Sequence, residues 1–389
     1  MLGAAGCPPR SLRGVDGLSV WDADAEGVAL QVLNPGVRHV FSARPDVLVV
    51  GGGTIGLATA VMCRRAGLGE VLVVERNQLA SGPSGRAAGI LAPEPHAWSD
   101  PAPFVDFGRR SLRLTREVDA DLGGSLGLRD LDCVLAEMRI EDAAVPVAAA
   151  VDVLDGDALR TIEPAVAGIG HALLIHAQSR VHPLRFAAGF ARHCGVAITG
   201  VEVGALVLSG ESVIAVETSV GVLRPGVVVF ATGTAPRPYV TVPHYLVKGH
   251  LATTEAVPFR VRAQVVTPRG GALQLDDGRL LTGGTLDEGD FSPKVRPEVI
   301  AAIQRGLVHV IPAAASTRLS HAWCCFRPTT PDRLPIVDRV PDIANAWFTS
   351  GHYRTGLLMA VATGEALARW IMEGTAPSEV EAFSLARFN

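Results

Sequence analysis

DVLVVGGGTIGLATAVMCRRAGLGEVLVVE, residues 46–75, holds a complete strand–turn–helix–strand unit. Asp46–Val50 is an apolar run, as a strand buried on both faces of a parallel sheet requires. Gly51–Gly56 reads G-x-G-x-x-G. The first glycine permits the tight turn, the second lets backbone approach a pyrophosphate, and the third lets helix and strand pack closely. Leu57–Gly67 is a small-residue helix closed by its glycine, and Glu70–Glu75 is a second buried strand. The unit has the length of one crossover. Phosphates there would meet free N–H groups and the positive end of the helix dipole. Glu75 ends the second strand, where a carboxylate can accept hydrogen bonds from ribose hydroxyls and repel a 2′-phosphate. A glycine-rich turn alone is weak evidence. This one follows a buried strand, opens a helix and precedes Glu75, and it reads as a dinucleotide site.

Upstream, residues 1–45 form an extension in which VALQVL and VRHVF are spaced as two short strands. Downstream, Phe104–Leu126 has helical spacing, with Arg109, Arg110, Arg113 and Arg116 on a face that reads as solvated. Pro183–Gly195 is another helix. Val196–Glu202, Ala205–Ser209, Val213–Thr218 and Gly221–Arg224 read as a β-meander. It leads into the buried strand Val227–Phe230, which ends in Ala231, Thr232 and Gly233. His250–Leu286 is strand-rich with glycine turns, and Pro297–Val310 is helical. Gly351–Gly356 is a turn opening a long apolar helix, Leu357–Met372. A simple NAD enzyme would continue with further βα units. A meander followed by a strand ending in Ala-Thr-Gly is instead common in FAD proteins of the glutathione-reductase-like fold.

The 389 residues suffice for about two domains. A net charge of −4 predicts no polyanion partner, so nucleic acid is not expected. Met1–Arg13 lacks the apolar segment of a secretory signal. No apolar run approaches the ~20 residues of a membrane span. A cytoplasmic location is expected. Cys7, Cys63, Cys133, Cys194, Cys324 and Cys325 show no CxxC spacing and read as reduced thiols. His176, His182, His244, His250 and His321 show no metal-ligand spacing, so no metal is expected.

Three segments carry a more specific signal: Ser84–Leu91 (SGRAAGIL), Phe326–Ile336 (FRPTTPDRLPI) and Gly351–Leu358 (GHYRTGLL). Together they resemble the FAD-dependent D-amino-acid oxidase superfamily, most closely its glycine oxidase branch, related to sarcosine oxidases. The resemblance runs in order from about Asp46 to Phe388. It implies an α/β fold: a glutathione-reductase-like FAD-binding Rossmann domain with a discontinuous, mixed-sheet α+β substrate-binding domain. The expected boundaries are 46–95, 175–240 and 327–389 for the first, and 96–174 and 241–326 for the second. Residues 1–45 fall outside.

The expected cofactor contacts begin with Gly51, Gly53, Thr54, Ile55, Gly56, Glu75 and Arg76. They continue with Ser84, Ala88, Gly89, Ile90 and Val203, then Ala231, Thr232 and Gly233. His352, Arg354, Thr355, Gly356, Leu357 and Leu358 complete the set. Small residues at Ala87–Gly89 would let backbone amides sit against the flavin. The turn before the last helix would offer N–H groups to a reduced, anionic ring. In the family, the arginine matching Arg327 grips the substrate carboxylate, which suits a planar guanidinium in apolar surroundings. An ion pair with Asp332 or Asp338 is the alternative. Arg354 and Tyr353 complete the expected catalytic group.

The chemistry so implied is oxidation of a C–N bond in a small amino acid or N-substituted glycine. Hydride passes to flavin N5, the imine is hydrolysed, and oxygen is reduced to hydrogen peroxide. The chain departs from the branch in lacking a tyrosine along Gly271–Arg279. Only Tyr239, Tyr245 or Tyr353 could replace it, and a larger biosynthetic intermediate enters as a substrate. Cys325 stands at the spacing of the covalent flavin link of monomeric sarcosine oxidases, although non-covalent FAD is the expected state. Other readings are a dehydrogenase with a non-oxygen acceptor and a catalytically inactive flavin-binding subunit. The family also hints at a homo-oligomer.

Overall fold

The protein is described by a computed structural model covering residues 19–23, 30–37, 41–234 and 240–388. Cys7 and Tyr239 lie outside these residues. A six-stranded sheet forms around Val47–Val50. Its order is Ile336–Arg339, Ala346–Ser350, Val227–Phe230, Val47–Val50, Val71–Glu75, Val196–Thr199. All neighbours are parallel except the Ile336–Arg339 edge. All four residues of Val47–Val50 are buried, as its unbroken apolar run predicts. Each such side chain contributes about 1.5–3 kcal/mol of burial.

The crossover helix Thr54–Arg65 packs against the C-terminal helix Ala360–Glu373. A Cβ on Gly364 would lie 2.8 Å from the Thr59 backbone, so the helices meet backbone to backbone. A second sheet of nine strands includes Leu319–Thr329, Tyr245–Ala256, Arg279–Gly283 and Gly270–Gln274, all mutually antiparallel where they pair. It is mixed, because Gln264–Thr267 pairs parallel with Arg129–Ala136. The α/β class with a mixed second sheet is therefore present.

Three sequence expectations change. Leu30–Leu33, part of VALQVL, is helical rather than extended. Four to six residues are too few to separate a period of 2 from one of 3.6. VRHVF lies partly outside the described residues. Val196–Thr199 leaves the meander and pairs with Val71–Glu75, so the meander has three strands, Val203–Ser209, Ser212–Thr218 and Gly221–Leu223. The last helix begins at Ala360, not Leu357, because residues 353–359 form turns around Thr355. Among the described residues, no helix is long and apolar enough to cross a membrane. No group of three or more His, Cys, Asp or Glu among them could hold a metal.

Candidate active site

A cavity of about 1180 Å³ lies across both sheets. Ordinary ligand pockets hold about 300–1,000 Å³, so this one has room for a large cofactor and a small second molecule. Part of its wall is the glycine turn. Gly51 has φ +116°, and a Cβ there would collide with the Ala231 carbonyl. A Cβ on Gly56 would strike the Gly51 carbonyl. Both positions exclude side chains, as the fingerprint requires. Among the described residues, the N–H groups of Ile55 and Gly56 find no acceptor, and the buried Thr54 hydroxyl has no partner. The Thr54 N–H is taken by Ser84 Oγ at 3.0 Å.

Gly51, Gly53 and Ile55 line the cavity, whereas Thr54 and Gly56 stand behind its wall. Glu75 and Arg76 line it too. Glu75 accepts from Gly52 N–H at 2.8 Å and Asn77 N–H at 2.8 Å, which leaves further lone pairs on its two oxygens. Ser84, Ala88, Gly89, Ile90, Val203, Ala231, Thr232 and Gly233 are also in the wall.

The turn from His352 to Leu358 lines the same cavity. Among the described residues, the N–H groups of Gly356, Leu357 and Leu358 have no acceptor. His352 is buried, its Nε2 lies 3.0 Å from Thr363 Oγ1, and burial pushes its pKa down to about 3. The ring is therefore neutral. Tyr353 has φ +47°, unusual for a residue with a side chain, and its N–H donates to Pro328 O at 3.0 Å. That bond fastens the turn to the Leu319–Thr329 strand, which carries Arg327. Burial raises the Tyr353 pKa against the opposing influence of Arg327 and Arg354, so its hydroxyl stays protonated.

Arg327 and Cys325 share the face of their strand that lines the cavity. The Arg327 guanidinium lies over Gly249 of the neighbouring strand, where any Cβ would overlap it. Nη1 donates to Thr285 O at 2.8 Å. Among the described residues, no carboxylate comes within salt-bridge distance. Asp332 instead pairs with Arg387 at 2.7 Å, and Asp338 accepts from Ser384 and Leu385 N–H. Both ion-pair alternatives are thus spent elsewhere. Burial lowers the Arg327 pKa against the opposing influence of Cys325 and Tyr353, but a guanidinium remains charged. Arg354 is exposed and lines the same cavity. Tyr245 is not among the lining residues.

Sequence reasoning missed the support behind Arg327. Lys248 is fully buried, with Nζ 2.9 Å from Asp290 and 2.7 Å from Lys294 O. His250, also fully buried, has Nδ1 2.8 Å from Asp287, while Nε2 accepts from Arg296 N–H at 3.3 Å. That pair of contacts assigns the proton to Nδ1 of a neutral ring; burial lowers its pKa despite Asp287. These ties hold the 284–296 loop, and with it the Thr285 carbonyl, over Gly249. The legible signal was Gly249 itself, since a glycine inside a strand often marks a close approach.

The DAO family, described as FAD dependent oxidoreductase, matches residues 46–370. The hydrogen cyanide synthase subunit HcnC of Pseudomonas aeruginosa is 28% identical over 408 residues, covering 88% of this chain and 96% of that protein. A glycine oxidase of Bacillus licheniformis is 26% identical over 372 residues, covering 88% and 98%. The crystal structure of glycine oxidase from Geobacillus kaustophilus shares the fold, with a TM-score of 0.78 and 24% identity, covering 89% of this chain and 99% of that one.

Proposed function

This chain belongs to the DAO family of FAD-dependent oxidoreductases, and on that premise we propose that it is an amino-acid or amine oxidase acting on a small α-amino acid or N-substituted glycine. The observation that carries the reading is Arg327: charged, set in the cavity wall, and without a carboxylate partner among the described residues. A substrate carboxylate would complete it. The net reaction joins the amino acid, water and oxygen to give an oxo acid, ammonia or an amine, and hydrogen peroxide.

In this reading the six-stranded sheet serves the cofactor and the nine-stranded sheet the substrate. The turn Gly51–Gly56 would hold the pyrophosphate, Glu75 and Arg76 the ribose end, and Ala88–Ile90 with His352–Leu358 the flavin. The unpaired N–H groups and the excluded Cβ positions are what such a group needs. Bound FAD would supply the two-electron acceptor for the substrate α-C–H. Arg327 would orient the carboxylate, Thr285 O would hold that guanidinium at a fixed angle, and Tyr353 and Arg354 would close the pocket around it. No side chain is required as a base, because a neutral amine can drive loss of its own α-hydrogen. Burial raises the Cys325 pKa above the ordinary thiol range. A protonated thiol is a poor nucleophile, which supports non-covalent FAD; acid precipitation should leave the yellow colour in the supernatant.

The test is anaerobic bleaching. Glycine, sarcosine, D-amino acids and L-proline are added in turn to the purified protein. Loss of the oxidised flavin band, its recovery in air, and peroxide formation support an oxidase. Bleaching without peroxide in air would favour a different electron acceptor, a reading to which the likeness to a hydrogen cyanide synthase subunit gives some weight. A flavin that none of the panel bleaches would overturn the small-substrate reading.

A further inference from the structure

We propose that Trp21, in the extension outside the matched segment 46–370, is a positioning residue that aims the backbone amides of the Arg86–Gly89 turn at the cofactor. The inference rests on the reading that this turn faces the flavin.

Three carbonyls of the turn are held from behind. The Trp21 indole N–H donates to Ala87 O at 2.8 Å, the Trp323 indole N–H donates to Arg86 O at 3.0 Å, and Val181 N–H donates to Gly89 O at 2.8 Å. No peptide bond among the described residues is cis. In a trans peptide, the carbonyl of one residue and the N–H of the next point in opposite directions. Fixing the Arg86 and Ala87 carbonyls on the two indoles therefore turns the Ala87 and Ala88 N–H groups the other way. Ala87 and Ala88 line the cavity, and among the described residues their N–H groups find no acceptor. The turn thus offers two adjacent donors, set by two tryptophans 302 positions apart in the chain.

Trp21 is itself firmly held. It is 4% exposed, and its ring meets His182 edge-on at 4.8 Å. Val20 beside it is fully buried, and Ser19 Oγ bonds Asp22 at 2.7 Å. Farther along, the extension is tied to the cofactor-side sheet. Leu79 N–H donates to Leu33 O at 2.9 Å, and Gly36 N–H donates to Thr199 Oγ1 at 2.9 Å on the edge strand. Leu33 and Gly36 thus lie against the edge of this sheet, and the Trp21 indole reaches the turn read as cofactor-facing. A leucine or phenylalanine would bury as well at position 21. Only a donor also orients the Ala87 peptide.

The test uses the full chain, with FAD removed and then titrated back while its fluorescence quenching is followed. Trp21→Phe keeps an aromatic side chain but deletes the N–H, along with part of the buried ring. It should weaken FAD by about 3–10-fold, the size of one hydrogen bond, beyond what the small fall in the apoprotein's thermal midpoint from the smaller buried ring explains. Ala88→Pro deletes one of the aimed N–H groups directly. The backbone at Ala87 (φ −73°, ψ 167°) tolerates a following proline. It should weaken FAD at least as much. If Ala88→Pro weakens FAD and Trp21→Phe does not, the Trp21 proposal fails alone. If neither does, the turn does not face the flavin and the underlying reading fails with it. If Trp21→Phe lowers the apoprotein midpoint, with any loss of FAD no larger than that instability explains, Trp21 is only packing and the proposal is overturned.

Discussion

The two sheets make an instructive pair. In the six-stranded sheet, the glycine turn and both strands beside it come from one run of thirty residues, and the strands' apolar composition states their burial. In the nine-stranded sheet, Arg327, Gly249 and the Thr285 carbonyl come together from positions up to 78 residues apart. The first site is a local backbone shape that glycine permits. The second is a charge held by register between strands and by a loop anchored on buried ionic groups. A local site announces itself in sequence; an assembled one shows only its charged member.

Variants can pull the two sites apart. Arg327→Ala should have the largest effect. Losing a two-pronged charged contact costs about 3–5 kcal/mol, a fall in kcat/KM on the order of 10²–10⁴, while the protein stays yellow. If the variant also loses flavin, the two sites are not separable. Gly51→Ala should do the reverse. A side chain at φ +116° against the Ala231 carbonyl should cut FAD affinity by roughly 100-fold, and excess FAD should restore turnover.

Gly249→Ala sharpens the comparison, because it touches neither substrate nor cofactor. Its methyl would displace the guanidinium. KM should rise by about 10–30-fold with FAD affinity unchanged. Unchanged KM would mean that Arg327 can bind from another position. Tyr353→Phe should raise KM by only about 3–10-fold, one hydrogen bond's worth.

The last test concerns pH and reads stability, not turnover. The His352 pKa falls from an ordinary 6.5 to about 3 on burial. Between those values the unfolded chain takes up a proton that the folded chain refuses, so stability falls as pH drops through that window. His352→Asn should remove close to one proton from the slope of acid unfolding. An unaltered slope would mean that the ring titrates normally.

Much of this was legible. The dinucleotide turn, the helix Pro297–Val310 and the glycine-bounded turn at Gly351 could be read from residues and spacing, and Arg327 as a candidate carboxylate clamp came from the family resemblance. The helical Leu30–Leu33 was not, since four residues carry no usable period. Nor was the start of the last helix: Thr355 makes its own hydrogen bonds to His352 O and delays the helix to Ala360.

The sequence by itself determined the parallel sheet, the glycine turn and the chemical kind of the residues proposed to face substrate. These depend on apolar runs and on glycine's freedom at positive φ, both properties of neighbouring residues. Only the tertiary structure decided that Arg327 has no carboxylate partner among the described residues, that Gly249 gives it room, and that two distant tryptophans grip one turn. Each of these is a matter of which groups remain unpaired once distant strands are in register. No local pattern records what lies across a strand.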